Sequence, residues 1–307
     1  MHHLKSFVLP IAIVLSIFFN EYIEGLHPAL PFLIFLMLYF SFNALDVRTI
    51  RSSKFDLWLL LFQVVASTAV FLLIYPFGEI IAQGAFVIVL APTASAAVSV
   101  ALILGANISI VTTYLIACNV MVSVVAPLAF SLMGTNTDIG FCESFIVIFG
   151  KVFSVLVAPV ILAWLTQRFL PKMSGNINNH KNIPFYLWAI ALTIVLAQSI
   201  GLLISQFSEH QVILLWMAAV SVLLCWLQFH VGHIIGKRYS DRIAGGQSLG
   251  QKNTVLAIWM AQSYLNPLSS IVPTLYILWH NLYNSFQMMQ KERRETEGVC
   301  VRRDNNI

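Results

Sequence analysis

Ten apolar runs, each long enough to cross the roughly 30 Å hydrocarbon layer of a bilayer, follow one another along this chain with only short polar joints between them. They lie near 6–23, 28–46, 57–76, 79–104, 107–133, 144–169, 184–206, 211–235, 244–264 and 266–289. Backbone polar groups cannot be left open to lipid, so runs of this length must be helices. The expected fold is an all-α polytopic membrane protein of ten transmembrane helices. With 59% hydrophobic and 10% charged residues, nothing remains from which to build a soluble domain. Residues 1–290 read as one ten-span unit, and 291–307 as a charged cytoplasmic tail expected to trail as coil. The opening "MHHLKSFVLPIAIVLSIFFNEYIEG" has the basic start of a signal peptide. It lacks a small-x-small cleavage site and ends at Asn20 and Glu21, so we read it as the first span.

Charge orients the chain. Lys5, Arg48, Arg51, Lys54, Arg168, Lys172, Lys181, Lys237, Arg238, Arg242, Lys291, Arg293, Arg294, Arg302 and Arg303 all fall in alternate loops and termini. The other loops hold Glu21, Glu24, Glu79, Asp138, Glu143 and Glu209 instead. By the positive-inside rule both termini are cytoplasmic, and the expected location is the cell (inner) membrane. The net charge of +4 is thus accounted for by orientation, with no nucleic-acid partner implied. Lys151 and Lys252 stand apart, being the two basic residues that fall inside spans. Four scattered cysteines, Cys118, Cys142, Cys225 and Cys300, carry no metal or redox spacing.

Two spans are interrupted. Span four contains Ala91-Pro92-Thr93-Ala94-Ser95-Ala96, where proline removes a helix hydrogen bond. Span nine begins "AGGQSLGQKN", too polar and too rich in glycine to face lipid as a helix. Four and nine differ by five, so segments of about 1–140 and 141–290 read as two inverted five-helix repeats. Paired interruptions at matching places point to a transporter's midplane site. The competing reading is a simple proline kink and an unrelated loop.

"PTASAAV" in span four, "SLGQKNTVLA" in span nine and "LNPLSSIVPTLYILWHNLYNSF" in span ten resemble the bile acid:sodium symporter family, with its TASN, ExGxQN and late WHN stretches. The resemblance covers most of the chain from span four onward, and Trp279-His280-Asn281 is its most specific part. It implies a panel and a core domain, with broken helices four and nine crossing at the midplane beside the substrate and sodium sites. It further implies ion-site positions at Ser95, Ala96, Ser109, Thr113, Ser248, Gln251 and Lys252, with Thr112 a further hydroxyl nearby. Here Ala96 stands where the family has asparagine, Ser248 where it has its carboxylate, and Lys252 where it has glutamine.

Sodium prefers oxygen ligands and is repelled by an ammonium. Two sodium ions and one glutamate sum to +1, as does one lysine with no glutamate. Lys252 therefore reads as a tethered cation in place of bound Na⁺; the alternative is a lysine that snorkels to water. Lys151, about eight residues past Glu143 and so roughly 12 Å along the helix, shares a face with Ser154 and Ala158. It reads equally as a substrate contact or a structural hydrogen bond.

The expected substrate and crossing region is Thr93, Ser95, Lys151, Ser248, Lys252, Asn253 and Asn119, the last as a stand-in for the missing asparagine. Gln198 and Gln228 read as residues reaching a cavity, His230 and His233 as interfacial, and His280 and Asn281 as interhelical partners. With no carboxylate inside any span, a proton relay or cation channel is disfavoured. No GxSxG, HExxH or buried aspartate pair suggests an enzyme. The expected function is a monomeric secondary transporter that moves a small organic anion by alternating access, with no cofactor and no resident metal, and with sodium doubtful. Bile-acid-like, pantoate-like and keto acids fit what the resemblance implies. Sodium- or proton-coupled symport and a non-transporting receptor or scaffold remain the alternatives.

Overall fold

The computed structural model describes residues 2–45, 53–133, 140–180 and 182–304. Arg48, Arg51, Asp138 and Lys181 fall outside the described residues, as do the side chains of Lys5, Glu21, Glu24, Glu209, Cys300, Arg302 and Arg303. The described chain is all α-helical and membrane-embedded. Its stretches Lys54–Phe77, Ile108–Met133, Phe141–Phe169, Ile183–Phe207 and Gln211–Arg238 are each long and apolar enough to cross a bilayer.

Helices α1 (His2–Phe18) and α2 (Asn20–Glu24) cover the first apolar run, with a joint at Phe19. A short 3-10 turn, His27–Ala29, leads into α3 (Leu30–Asn43). Helix α4 (Lys54–Ile74) starts on a capping box in which Asp56 accepts from both the backbone and the hydroxyl of Ser53. The fourth run is divided into α5 (Glu79–Leu90) and α6 (Ala96–Leu104), and α7 (Ile108–Met133) returns as one piece. Helices α8 (Phe141–Leu156) and α9 (Ala158–Phe169) meet just before Pro159.

Three stretches depart from the expectation. The loop after α9 holds a further helix, α10 (Pro171–Asn179), which begins on a proline, a residue suited to a first helical turn. Spans seven and eight form one hydrogen-bonded run, α11 (Ile183–Arg238). A straight helix would hold Ser199 and Gln228 about 43 Å apart. Yet Thr274 Oγ1 donates to Ser199 Oγ at 2.9 Å while Gln228 Nε2 donates to the Tyr276 hydroxyl at 3.1 Å. Side chains two residues apart cannot bridge such a gap, so α11 changes direction between these contacts. The ninth run is divided into α12 (Arg242–Gly250) and α13 (Thr254–Tyr264), and a 3-10 turn, Pro267–Ser270, then opens α14 (Ile271–Asp304). Helix α14 continues through the segment expected to be coil, which is rich in the helix-favouring Lys, Arg and Glu. Its start is docked, since Lys291 Nζ donates to the carbonyl of Ile103 at 2.7 Å.

Polar contacts gather the loops into two groups. In the first, Asn43 Nδ2 donates to Asn178 Oδ1 at 3.1 Å, Gln167 Nε2 donates to the carbonyl of Leu45 at 2.9 Å, and the Asn107 amide donates to Asp241 at 2.7 Å, with the Phe55 ring packed on Tyr239 between them. In the second, the Asn266 amide donates to Gln83 Oε1, whose amide nitrogen in turn donates to Glu79. The tightest helix contact lies between α11 and α12. There the backbone at Gly232 and Gly236 meets that at Gly245, leaving no room for a Cβ on any of the three.

Candidate functional site: the paired helix breaks

Pro92 lacks a backbone N–H and pushes Ala91 out of helical geometry (φ −48°, ψ 139°), so α5 ends at Leu90. The chain after Gly250 is likewise extended, with ψ of 89° at Gln251 and 82° at Asn253. These two extended pieces pair with each other. Thr93 and Lys252 form an antiparallel β-bridge, flanked by hydrogen bonds from the Ala94 amide to Gln251 O (2.9 Å) and from the Asn253 amide to Pro92 O (2.8 Å). The pairing asks Pro92 only for its carbonyl, so the missing N–H costs nothing here.

A broken helix leaves carbonyls without partners and the negative end of its dipole bare. At α5 these groups are met by two side chains. Lys252 Nζ donates to Val89 O at 2.9 Å and Ala91 O at 3.0 Å, while Gln63 Nε2 donates to Leu90 O at 2.5 Å and Ala91 O at 3.0 Å. Gln63 Oε1 accepts from the Tyr114 hydroxyl and from the Cys118 thiol. Lys252 is 1% exposed, so it does not reach for water. The matching end of α12 is capped by hydroxyls instead: Thr93 Oγ1 donates to Ser248 O (2.6 Å) and Tyr276 Oη to Gly250 O (2.8 Å). A cation serves one half and neutral groups serve the other.

Thr93, Ser248, Gln251, Lys252 and Asn253 meet at this crossing. Asn253 caps α13 by accepting from the Leu256 amide at 3.2 Å, and Gln251 Oε1 accepts from Asn284. Ser248 Oγ is buried with no partner among the described residues. Ser95 is half-buried at the start of α6, and Ala96 is exposed beside it. Ser109 and Thr113 lie in the first turns of α7, where Thr113 donates to the Ser109 carbonyl at 2.9 Å; Thr112 is buried. Asn119 donates to Leu115 O of its own helix at 2.7 Å, and its side-chain oxygen is buried with no partner among the described residues.

Other expectations need correcting. His233 is buried at 8% exposure, against Gly246 and within 3.3 Å of Gln287, because the glycines of α12 admit it. His230, by contrast, is exposed and stacks on the exposed Trp226, which does not contradict an interfacial place. Asn281 satisfies its amide within α14, on Ile277 O, and makes no interhelical bond there. Gln228 is buried and donates to the Tyr276 hydroxyl.

Lys151 shares no hydrogen bond with the crossing residues among those described. It lines a cleft of about 500 Å³ between the start of α3, α8 and the end of α13, with Ser154, Trp259, Ser263 and Tyr264. Gln63, Tyr114, Tyr276 and Asn284 were not picked out by sequence. Their only signal was a lone amide or phenol in an apolar helix, as Gln63 is in "LLLFQVVA".

Sodium can be tested against these groups. Ala96 offers no oxygen, Ser248 is no carboxylate, and the Lys252 ammonium already holds the carbonyls of Val89 and Ala91. The residues present do not fit a sodium ion at that place. Compared with models of known protein families and with curated proteins, the chain matches none.

Proposed function

We propose that this chain is a secondary carrier for a small organic anion, in which Lys252 permanently occupies the role that bound sodium plays in the symporter family it resembles. The observation that carries the reading is the Lys252 ammonium hydrogen-bonded to the end of α5 inside two paired helix breaks. A lysine at mid-membrane costs roughly 2.5–3.5 kcal/mol, and the dry carbonyls of Val89 and Ala91 are unwelcome too; their bonding to Lys252 offsets both. The fixed positive charge and the amide ends of α6 and α13 suit a carboxylate arriving at the crossing.

The same reading takes the chain as ten spans in two inverted halves, with both termini cytoplasmic in the inner membrane. Support comes from the grouped loops, since Asn107, Asp241, Ile103 and Lys291 meet at one end while Glu79, Gln83 and Asn266 meet at the other. The reversal of α11 keeps that alternation intact. Helices α1, α3, α8, α9 and the first part of α11 would form the panel against which the remaining core rocks.

Uptake of a carboxylate library into proteoliposomes, with sodium replaced by potassium, tests the reading. Uptake should persist undiminished; transport that vanishes without sodium would refute the tethered cation. Conversely, the triple variant Lys252→Gln, Ser248→Glu, Ala96→Asn should make uptake depend on sodium.

A further inference from the structure

We propose that the cleft between α3, α8 and α13 is a binding site for an organic acid with a single carboxylate and a compact apolar body, Lys151 holding the carboxylate. It deepens the carrier reading by naming a substrate class, and it rests on that reading only for its purpose, because binding in the cleft can be measured without transport. Its volume, about 500 Å³, falls within the range of small-molecule sites.

Helix α8 has three faces. Ile148, Val152 and Leu156 are buried against the protein. Phe141, Phe145, Phe149 and Phe153 run one turn apart as a ladder of rings 5.3–6.5 Å apart. Gly150, Lys151 and Ser154 make the third face, and they line the cleft. A Cβ on Gly150 would meet nothing within 4 Å, so the space beside the ammonium is open.

Across the cleft, α13 contributes Trp259 and Tyr264, and the Tyr264 hydroxyl is buried with no partner among the described residues. Ser154 already donates to Gly150 O at 2.6 Å. The ammonium leads the remaining donors for an incoming oxyanion, with the Tyr264 phenol, the Ser263 hydroxyl, the Trp259 indole and the His27 ring also in the lining. The lining holds one lysine and one histidine, His27, with no arginine and no carboxylate. A second carboxylate on the ligand would therefore find only the weakly basic imidazole of His27 and no second full cation, which is why the class is monoanionic. Trp259, Val155 and Pro31 give the apolar wall for the body.

Protection of Lys151 from trinitrobenzenesulfonate tests this, read by peptide mass spectrometry on the full chain in nanodiscs. Benzoate, cyclohexanecarboxylate and 4-phenylbutyrate are the probes, each beside its neutral amide, with glutarate as the two-headed control. At least one monocarboxylate should slow modification of Lys151 by about fivefold or more, and the amides and glutarate should not. Gly150→Leu, which fills the opening and spares the ammonium, should abolish the protection, and Tyr264→Phe should weaken it severalfold. The site is overturned if Lys151 does not react at all, if no monocarboxylate protects it, if amides protect equally, or if Gly150→Leu changes nothing. Protection in a protein that transports nothing keeps the site and removes the carrier reading, whereas uptake without protection does the reverse.

Discussion

At the scale of single residues, the molecule is organised by what happens to three carbonyls. Val89, Leu90 and Ala91 end a helix inside the membrane, and Lys252 and Gln63 satisfy all three. Lys252→Met keeps the bulk and removes the donors. Stranding the Val89 acceptor costs about 1–3 kcal/mol, and Ala91 keeps only Gln63, so the thermal midpoint of the purified protein should fall by several degrees. Gln63→Leu should do the same, since it strands Leu90 O and removes the acceptor of the Tyr114 hydroxyl while Lys252 retains a hold on Ala91. Lys252 could be read from sequence because a lysine among apolar residues is costly and conspicuous. Gln63 could not, because glutamine carries no charge to betray it, and its partners lie 27, 28, 51 and 55 positions away. Only the packing of α4 against α5 and α7 brings them together.

At the scale of elements, the two breaks were legible and the helix contacts were not. Pro92 announces irregular backbone. The run Gly245–Gly250, expected to be too polar and glycine-rich for a helix facing lipid, is instead a buried helical end of α12, and the break follows it at residues 251–253. Which helix a glycine admits depends on the folded pairings. Gly245 lies so close to α11 that a Cβ would stand 2.1 Å from the carbonyl of Gly232, a backbone atom that cannot step aside. Gly245→Ala and Gly232→Ala should each abolish a monodisperse peak in fluorescence-detected size-exclusion chromatography. Gly150→Ala, facing open space, should leave that peak intact and raise stability by up to about 1 kcal/mol. The helical extension of α14 was missed for a different reason. Charge pattern suggests solvation, but it does not forbid a helix already nucleated by the apolar turns before it.

At the scale of the whole molecule, apolar run lengths carried most of what could be read, because lipid leaves the backbone few choices. The reversal within α11 was foreseen as a loop between two spans; its continuous hydrogen bonding was not, since nothing in "SQFSEHQ" marks an unbroken helix through a turn. The proposed orientation makes a direct prediction. Cys142 is exposed at the start of α8 while Cys118 and Cys225 are buried. A membrane-impermeant maleimide added to intact cells should label Cys142 and spare those two; protection of Cys142 until the cells are opened would reverse the orientation. The cap on α5 has a last consequence, an electrical one. A carrier whose counter-charge is bonded to its own chain conveys only the negative charge of its passenger. Across an inside-negative membrane of 100 mV, that charge is driven outward by about 2.3 kcal/mol, a roughly fiftyfold gradient at equilibrium. Such a protein, left to the voltage alone, would discharge its acid from the cell and not gather it.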